Sequence, residues 1–222
     1  PECLVLDHHA TETPAKQASL VHDLGKSASL LCYELCREHG LGTPELDRLV
    51  RLTNLGDLFV DEDPEFPLAC DYASLVKVYG FWNLHALIGG QLEQLLDHPL
   101  LPVMTLKREL EDPLGYEWSR RHVEAITGQV GLVRTVVGNT NLIVHRLLTS
   151  GATPYPVLAT LFKKGNGVQV VSFRSRSGEA LVVAQKFEGG GGHPNAAGAS
   201  LPRGVADWRE AVDWMRQRLE PR

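Results

Sequence analysis

No apolar stretch in this chain of 222 residues approaches the ~18 to 20 residues that a membrane-spanning helix needs. No signal peptide is visible at its start. Composition gives the expectation of a soluble, cytoplasmic, globular chain without a membrane partner. Cysteine is also sparse, with Cys3, Cys32, Cys36 and Cys70 the complete set. None belongs to a Cys-x-x-Cys pair, so a structural zinc site lacks its second ligand pair. Cys32 and Cys36 fall four apart in an apolar helical pattern, which predicts buried free thiols. The four tryptophans, Trp82, Trp118, Trp208 and Trp214, are scattered, and no stacking platform for bases can be read from them. There is no internal repeat and no low-complexity tract. Gly25-Lys26-Ser27 imitates the end of a P-loop, but position 20, where the first glycine of that motif would stand, is Leu20.

Charge is present in both signs, unevenly. Residues 1–127 carry 10 Lys and Arg against 21 Asp and Glu, a net of −11; residues 128–222 carry 12 against 6, a net of +6. An acidic first half beside a basic second half suits a polyanionic ligand gripped by the second.

Two segments carry chemistry. Cys3-Leu4-Val5-Leu6 is a short apolar run that predicts a parallel strand buried on both faces. Asp7-His8-His9 follows directly, at the strand's C-terminal end, the edge at which open α/β sheets bind ligands. Imidazole suits a borderline divalent metal, and an adjacent carboxylate can ligate the ion or orient the ring. Near the other end stands Phe187-Glu188-Gly189-Gly190-Gly191-Gly192-His193-Pro194-Asn195-Ala196-Ala197-Gly198. Glycines let the backbone turn and let a ligand approach bare N–H groups, which together form an anion-binding concavity. If Pro194 to Gly198 opens a helix or a packed turn, its N–H groups add to that field, and His193 supplies a donor at the rim.

Both segments resemble the DHH phosphoesterase family. Asp7-His8-His9 matches its eponymous motif, Gly190 to Gly198 matches the Gly-Gly-Gly-His-Pro-x-Ala-Ala-Gly motif of its associated C-terminal domain, and Ser172-Phe173-Arg174-Ser175 looks like the Ser-x-Arg-Ser strand of that domain. Gly56-Asp57-Leu58-Phe59 resembles the family's last metal-binding motif. The likeness spans nearly the whole chain and is nearest to the oligoribonuclease and 3′-phosphoadenosine phosphatase branch. The family has two further aspartate-bearing motifs upstream of Asp-His-His, where only Pro1 to Leu6 stand here. The expectation is therefore a fragment without the first part of the catalytic domain and its metal-ligating carboxylates, whose activity alone is doubtful.

The resemblance implies an α/β fold: the C-terminal part of a parallel-sheet, Rossmann-like catalytic domain with a helical connector over 1–115, then a smaller mixed-sheet α/β substrate-binding domain over 116–222. It implies hydrolysis of short oligonucleotides or 3′-phosphorylated nucleotides with two divalent cations, usually manganese. Cyclic dinucleotides and polyphosphate are among the family's other substrates, and a homodimer is possible. His8 becomes a metal ligand, Asp7 a ligand or a holder of His8, Asp57 the residue that completes one metal, and His9 a contact to phosphate. Arg174 takes a phosphate, with Ser175 and Asn195 beside it, and His193 with the N–H groups of Gly190, Gly191 and Gly192 holds the substrate's far end. The rival expectation is a non-catalytic nucleic-acid-binding module like the domain appended to alanyl-tRNA synthetase relatives.

Between the motifs, Thr11 to Gly25 reads as a polar stretch, with His22-Asp23 an exposed loop pair. Lys26 to Glu38 reads as a helix whose face holds Ala28, Leu31, Cys32, Leu35 and Cys36. Thr43-Pro44 caps a second helix ending near Gly56-Asp57, with Leu46, Leu49, Val50 and Thr53 as its apolar face. Asp61-Glu62-Asp63-Pro64 reads as a solvated acidic turn. Residues 70–126 look mainly helical, broken at Gly80, Gly89-Gly90 and Pro99 to Pro102, and the domain boundary falls between about 105 and 130. Then follow a β-rich Val130 to Val137, a short helix from Asn139-Thr140 to Leu148, and two strands, Pro156 to Phe162 and Val168 to Arg174, joined by Lys164-Gly165-Asn166-Gly167. Ala180 to Phe187 predicts a helix, Ala199 to Leu201 a strand, and Asp207 to Leu219 a closing helix with Trp208, Val212 and Met215 in the core. His85, His98, His122 and His145 lack ligand-like spacing.

Overall fold

The computed structural model describes residues 3–9, 18–165, 167–205 and 207–220. Pro1, the first part of the Thr11 to Gly25 stretch, and Asn166 of the hairpin lie outside the described residues. The chain forms two compact units, Pro1–Arg108 and Glu109–Arg222, and its architecture is α/β.

The first unit begins with β1 (Cys3–Asp7) and β2 (Ala18–His22), which pair in parallel so that Asp7 lies opposite His22. This overturns the polar stretch: Ala-Ser-Leu-Val-His within it is a strand. The expected burial of β1 on both faces also fails. Cys3 is exposed, and Leu4, Leu20 and Val21 are each more than two-fifths exposed, because the described sheet has only these two strands.

Helices follow. Ser27 caps α1 (Ala28–Glu38), its Oγ accepting from Leu30 N at 3.2 Å. Its own N–H donates to Asn54 Oδ1 at 2.8 Å, which ties α1 to α2 (Pro44–Asp57). Thr43 caps α2 as predicted, with Pro44 in the first turn. The core faces are rotated from those expected. On α1 the buried residues are Leu31 and Tyr33, while Cys32 is exposed and Cys36 half-buried, so the two thiols are free but not buried. On α2 they are Leu52 and Leu55, while Thr53 faces out and bonds to Leu49 O.

α3 (Phe66–Tyr79), α4 (Phe81–Leu87), a 3₁₀ turn at Leu92–Leu95 and α5 (Leu101–Ser119) complete the helical run, with breaks at the glycines and prolines that signalled them. Leu52, Leu55, Ala69, Tyr72, Leu75, Leu84, Leu101 and Met104 form the core of this unit. The acidic turn before α3 is more than solvated: Asp63 accepts from Arg51 at 2.7 Å and from Glu65 N at 2.9 Å.

The second unit is built on a six-stranded sheet. In chain order its strands are β3 (Val123–Ala125), β4 (Val130–Val133), β5 (Val157–Lys163), β6 (Gln169–Ser175), β7 (Gly191–His193) and β8 (Ala196–Ser200). Across the sheet the order is β3-β4-β5-β6-β8-β7, all neighbours antiparallel except β4 and β5. That parallel pair is joined through α6 (Thr140–Thr149), as a parallel pair requires a crossover. α7 (Glu179–Ala184) and α8 (Trp208–Leu219) complete the unit.

Side chains alternate across the sheet with period two. Leu132, Val157, Ala159, Val171 and Phe173 pack with Ala180, Val183, Ala184, Val212 and Met215 of α7 and α8. Val133 and Leu158 pack to a separate core with Tyr116, Ile143, Val144 and Leu147. Full burial of each such side chain contributes roughly 1.5–3 kcal/mol. Asp207 caps α8 in a reciprocal capping box with Glu210, and Val212 and Met215 are core residues as expected, with Trp208 partly buried against them.

Candidate active site

In the first unit the Asp-His-His segment, at the end of β1, is organised by Asp7. Asp7 Oδ1 accepts from His8 N at 2.8 Å, His9 N at 3.1 Å and His9 Nδ1 at 2.8 Å. The His9 side-chain bond, aided by the backbone N–H groups, pulls the Asp7 carboxyl from its ordinary 3.8 down to about 2. An ionised carboxylate only accepts, so the His9 Nδ1 that meets it carries a proton. His9 is exposed and His8 is buried, their ring centroids 4.5 Å apart.

His22 is the participant that sequence reasoning missed. It is the last residue of β2, and its Nε2 donates to His9 O at 2.8 Å. Asp23 N adds a bond to Asp7 O at 3.3 Å. The main chain of this segment is thus held from the neighbouring strand. The signal was an apolar run ending in histidine, obscured by the polar residues before it.

Asp57 reaches the same place from α2. It is the last residue of that helix, and its Oδ2 lies 3.3 Å from His8 Nε2. The carbonyl end of a helix disfavours an anion, and no basic residue occupies the last turn of α2. A positive partner at Asp57 therefore relieves two electrostatic costs. The helix stops in a Schellman arrangement, with Val60 N bonded to Leu55 O at 3.0 Å and Phe59 at φ 56°, a conformation that glycine usually supplies. The Phe59 ring packs edge-on against Phe66, centroids 4.9 Å apart.

These donors fit a divalent cation. Two ligands each ~2.1 Å from one ion stand ~3.0–3.4 Å apart, and His8 Nε2 and Asp57 Oδ2 are separated by 3.3 Å. Imidazole nitrogen with carboxylate oxygen is the donor mixture that such ions accept. Asp7 Oδ1 already takes three hydrogen bonds, so its role toward His9 is orientation.

In the second unit the glycine run differs from the open loop expected. Pro194 to Gly198 opens no helix. Gly191–His193 and Ala196–Ser200 are the two strands of a hairpin, turning at Pro194-Asn195. Gly190 N already donates to Phe187 O at 3.0 Å. A Cβ on Gly190 would meet Ala184 O at 1.9 Å, one on Gly192 would meet Ala196 O at 2.6 Å, and one on Gly198 would meet Val171 O at 2.8 Å. These glycines serve close backbone packing. β7 is the outer strand of the sheet, and His193 ends it.

Ser175 and Asn195 are engaged within the protein. Ser175 Oγ accepts from Ala180 N at 2.9 Å, Ser175 N donates to Asn195 O at 3.1 Å, and Asn195 Oδ1 accepts from Gly178 N at 2.7 Å. Together they brace the turn from β6 into α7. Arg174 is half-buried on β6, in register with Leu158 on one side and Ala196 on the other. Burial pulls its guanidinium below the ordinary arginine range.

No family model matches the chain, and no curated protein matches it. Among solved structures, it is similar to an uncharacterized protein from Helicobacter pylori G27, at 17% identity and a TM-score of 0.38, covering 89% of this chain and 68% of that one. It is also similar to an exopolyphosphatase-related protein from Bacteroides fragilis, at 16% identity and a TM-score of 0.46, covering 98% of this chain and 63% of that one.

Proposed function

We propose that this chain belongs to a metal-dependent phosphoesterase of the DHH type, acting on short oligonucleotides or 3′-phosphorylated nucleotides. The observation that carries the reading is the meeting of His8 Nε2 and Asp57 Oδ2 at 3.3 Å beside a histidine oriented by Asp7. A buried imidazole and a helix-terminal carboxylate would hold the ion, with manganese the expected metal. When bound, a divalent cation neutralises phosphoryl charge and acidifies water. His9, its proton fixed on Nδ1 by Asp7, presents Nε2 toward a phosphate oxygen or a proton in transit. In the second unit, Arg174 offers a planar fork to a phosphate, and His193 with the edge of β7 adds donors. The net +6 of residues 128–222 favours a polyanion there.

Manganese titration and hydrolysis of a 5′-phosphorylated oligoribonucleotide, a 3′-phosphorylated adenosine nucleotide and polyphosphate test this reading. Manganese binding that His8→Ala and Asp57→Asn weaken is the expected result for this chain, and any hydrolysis beside it is expected to require manganese, to be lost in His8→Ala and to favour the nucleotides over polyphosphate. Manganese binding indifferent to both His8→Ala and Asp57→Asn would overturn it.

A further inference from the structure

The face of the six-stranded sheet that carries Arg174 also carries an aromatic ring that the proposed chemistry leaves unused. Residues directly opposite one another in an antiparallel pair share a face, so register sorts this face into rows. Arg174, Ala196 and His193 stand in one row, and Thr160, Ser172 and Gly198 in the next. Phe162 opens the third, opposite Val170. Phe162 therefore lies on the same side of the sheet as Arg174, two places along the alternation of β5 and β6. Its neighbour Leu161 packs on the other side, against the core that holds Phe173. Phe162 is 50% exposed, while Val170 beside it is buried. Its own unit thus leaves at least half of this side chain uncovered.

We propose that Phe162 is the base-stacking residue of this sheet: a short oligonucleotide with a phosphate on Arg174 lays a base on the Phe162 ring. The inference rests on the reading of Arg174 as a phosphate contact, and adds to it what separates a nucleotide from bare phosphate. Spacing supports it. Val170, the register partner of Phe162, precedes Arg174 on β6 by a strand length of roughly 13–14 Å. That exceeds the reach of a single phosphate and suits a short run of nucleotides. The row between them is low, since Thr160, Ser172 and Gly198 bring two small hydroxyls and no bulky group. Charge agrees as well. Lys163 and Lys164 follow Phe162 directly and are both exposed, so a phosphate flanking the stacked base meets positive charge. Stacking tolerates any base, because every base has a π-face. A polyphosphate has none to offer.

Calorimetric titration of the full chain, without divalent metal so that no ligand is consumed, tests this. The ligands are a 5′-phosphorylated diadenylate, its diuridylate counterpart and the same backbone without bases. The wild-type chain is expected to prefer the diadenylate to the abasic backbone by about tenfold or more, with the diuridylate between them. Phe162→Ala should lower affinity for the diadenylate by about 5- to 100-fold, the span of base–aromatic stacking. It should leave the abasic backbone unchanged, so that the order of the three ligands collapses. Phe162→Tyr should keep the preference, and Phe162→Leu, apolar but without a π-face, should lose most of it. Arg174→Ala should weaken all three alike. Thermal melts verify folding, and Phe162→Leu carries the comparison if Phe162→Ala does not fold. A folded Phe162→Ala or Phe162→Leu that keeps the wild-type preference for bases overturns the proposal. A wild-type chain that binds the abasic backbone as tightly as the diadenylate overturns it too; if Arg174→Ala still weakens both, the phosphate reading of Arg174 stands without it. Binding of none of the three ligands removes both.

Discussion

Arg108 donates to both carboxylate oxygens of Asp71, from Nε at 2.7 Å and from Nη2 at 3.1 Å. Asp71 is fully buried on α3, and Thr105 Oγ1 completes its shell at 2.8 Å. This cluster locks α3 to the start of α5. Replacing Asp71 by alanine strands a guanidinium that is itself three-quarters covered. We expect a loss of about 3–5 kcal/mol, the range for breaking one partner of a buried pair. Asp71→Leu with Arg108→Met removes both charges and recovers most of it. Urea denaturation of the three proteins measures the pattern, and a loss near zero in Asp71→Ala would mean that the pair behaves as if solvated.

The Asp7 carboxyl gives a pH signature. Its ordinary value is 3.8, and in the folded protein it titrates near 2. The stability that its hydrogen bonds supply is complete above about pH 4 and is lost as pH falls through about 2, where folded and unfolded states are both protonated. Carboxyl NMR titration should place Asp7 near 2. Asp7→Asn should flatten acid sensitivity in that window alone. A midpoint near 3.8 would show that His9 does not hold the carboxylate.

How much of this was legible beforehand follows from what each signal depends on. Helix caps are local, so Thr43-Pro44 was readable from the chain alone, whereas the reading of a helix from Lys26 placed Ser27, its actual cap, inside it. The glycine breaks at Gly80 and Gly89-Gly90 were readable for the same reason, and both take positive φ. The face of α2 was not, because Leu46, Leu49, Leu52 and Leu55 offer competing stripes and only the partner helix selects one. β2 was hidden because a five-residue strand needs a pairing partner to exist, and β1 is 15 residues away in register. The shape of the glycine run was not legible: its composition suits an open loop and a close-packed hairpin equally, and the backbone of Ala184, Ala196 and Val171, which leaves no room for a Cβ, selects the hairpin. In the site, Asp7, His8 and Asp57 do come together within the first unit, whereas His22 had no sequence spacing to give it away.

Two adjacent glycines separate packing from conformation. Gly189 has φ 66° and open space where a Cβ would stand, while Gly190 has no room at all. Gly189→Ala should cost only the left-handed penalty, about 1–2 kcal/mol. Gly190→Ala forces β7 away from the end of α7 and should cost more, at least ~2–3 kcal/mol. Hydrogen exchange localised to residues 184–198 reads the difference. Equal losses at the two positions would mean that the hairpin yields freely.

Arg174, Ser175 and Asn195 stand close in sequence or register, but the structure gives them different work. Ser175 and Asn195 spend their polar atoms on Ala180 N, Gly178 N and each other. Ser175→Ala leaves the buried Ala180 N–H without that acceptor and should cost about 1–3 kcal/mol of stability. Asn195→Ala should act the same way through Gly178 N. Neither should alter phosphate affinity beyond what a loosened turn explains. Arg174 instead is a half-buried cation on β6, its guanidinium pulled below the ordinary range by burial. Thermal melts of Arg174→Ala report any stability change separately from affinity. The same change should weaken binding of a 5′-phosphorylated dinucleotide by ~1.5–3 kcal/mol. Arg174→Lys should recover only part, because an ammonium lacks the planar fork. Calorimetric titration beside thermal melts resolves the two classes. If Arg174→Ala loses stability and keeps affinity while Ser175→Ala does the reverse, the roles have been exchanged, and the ligand lies against the turn rather than along the strand.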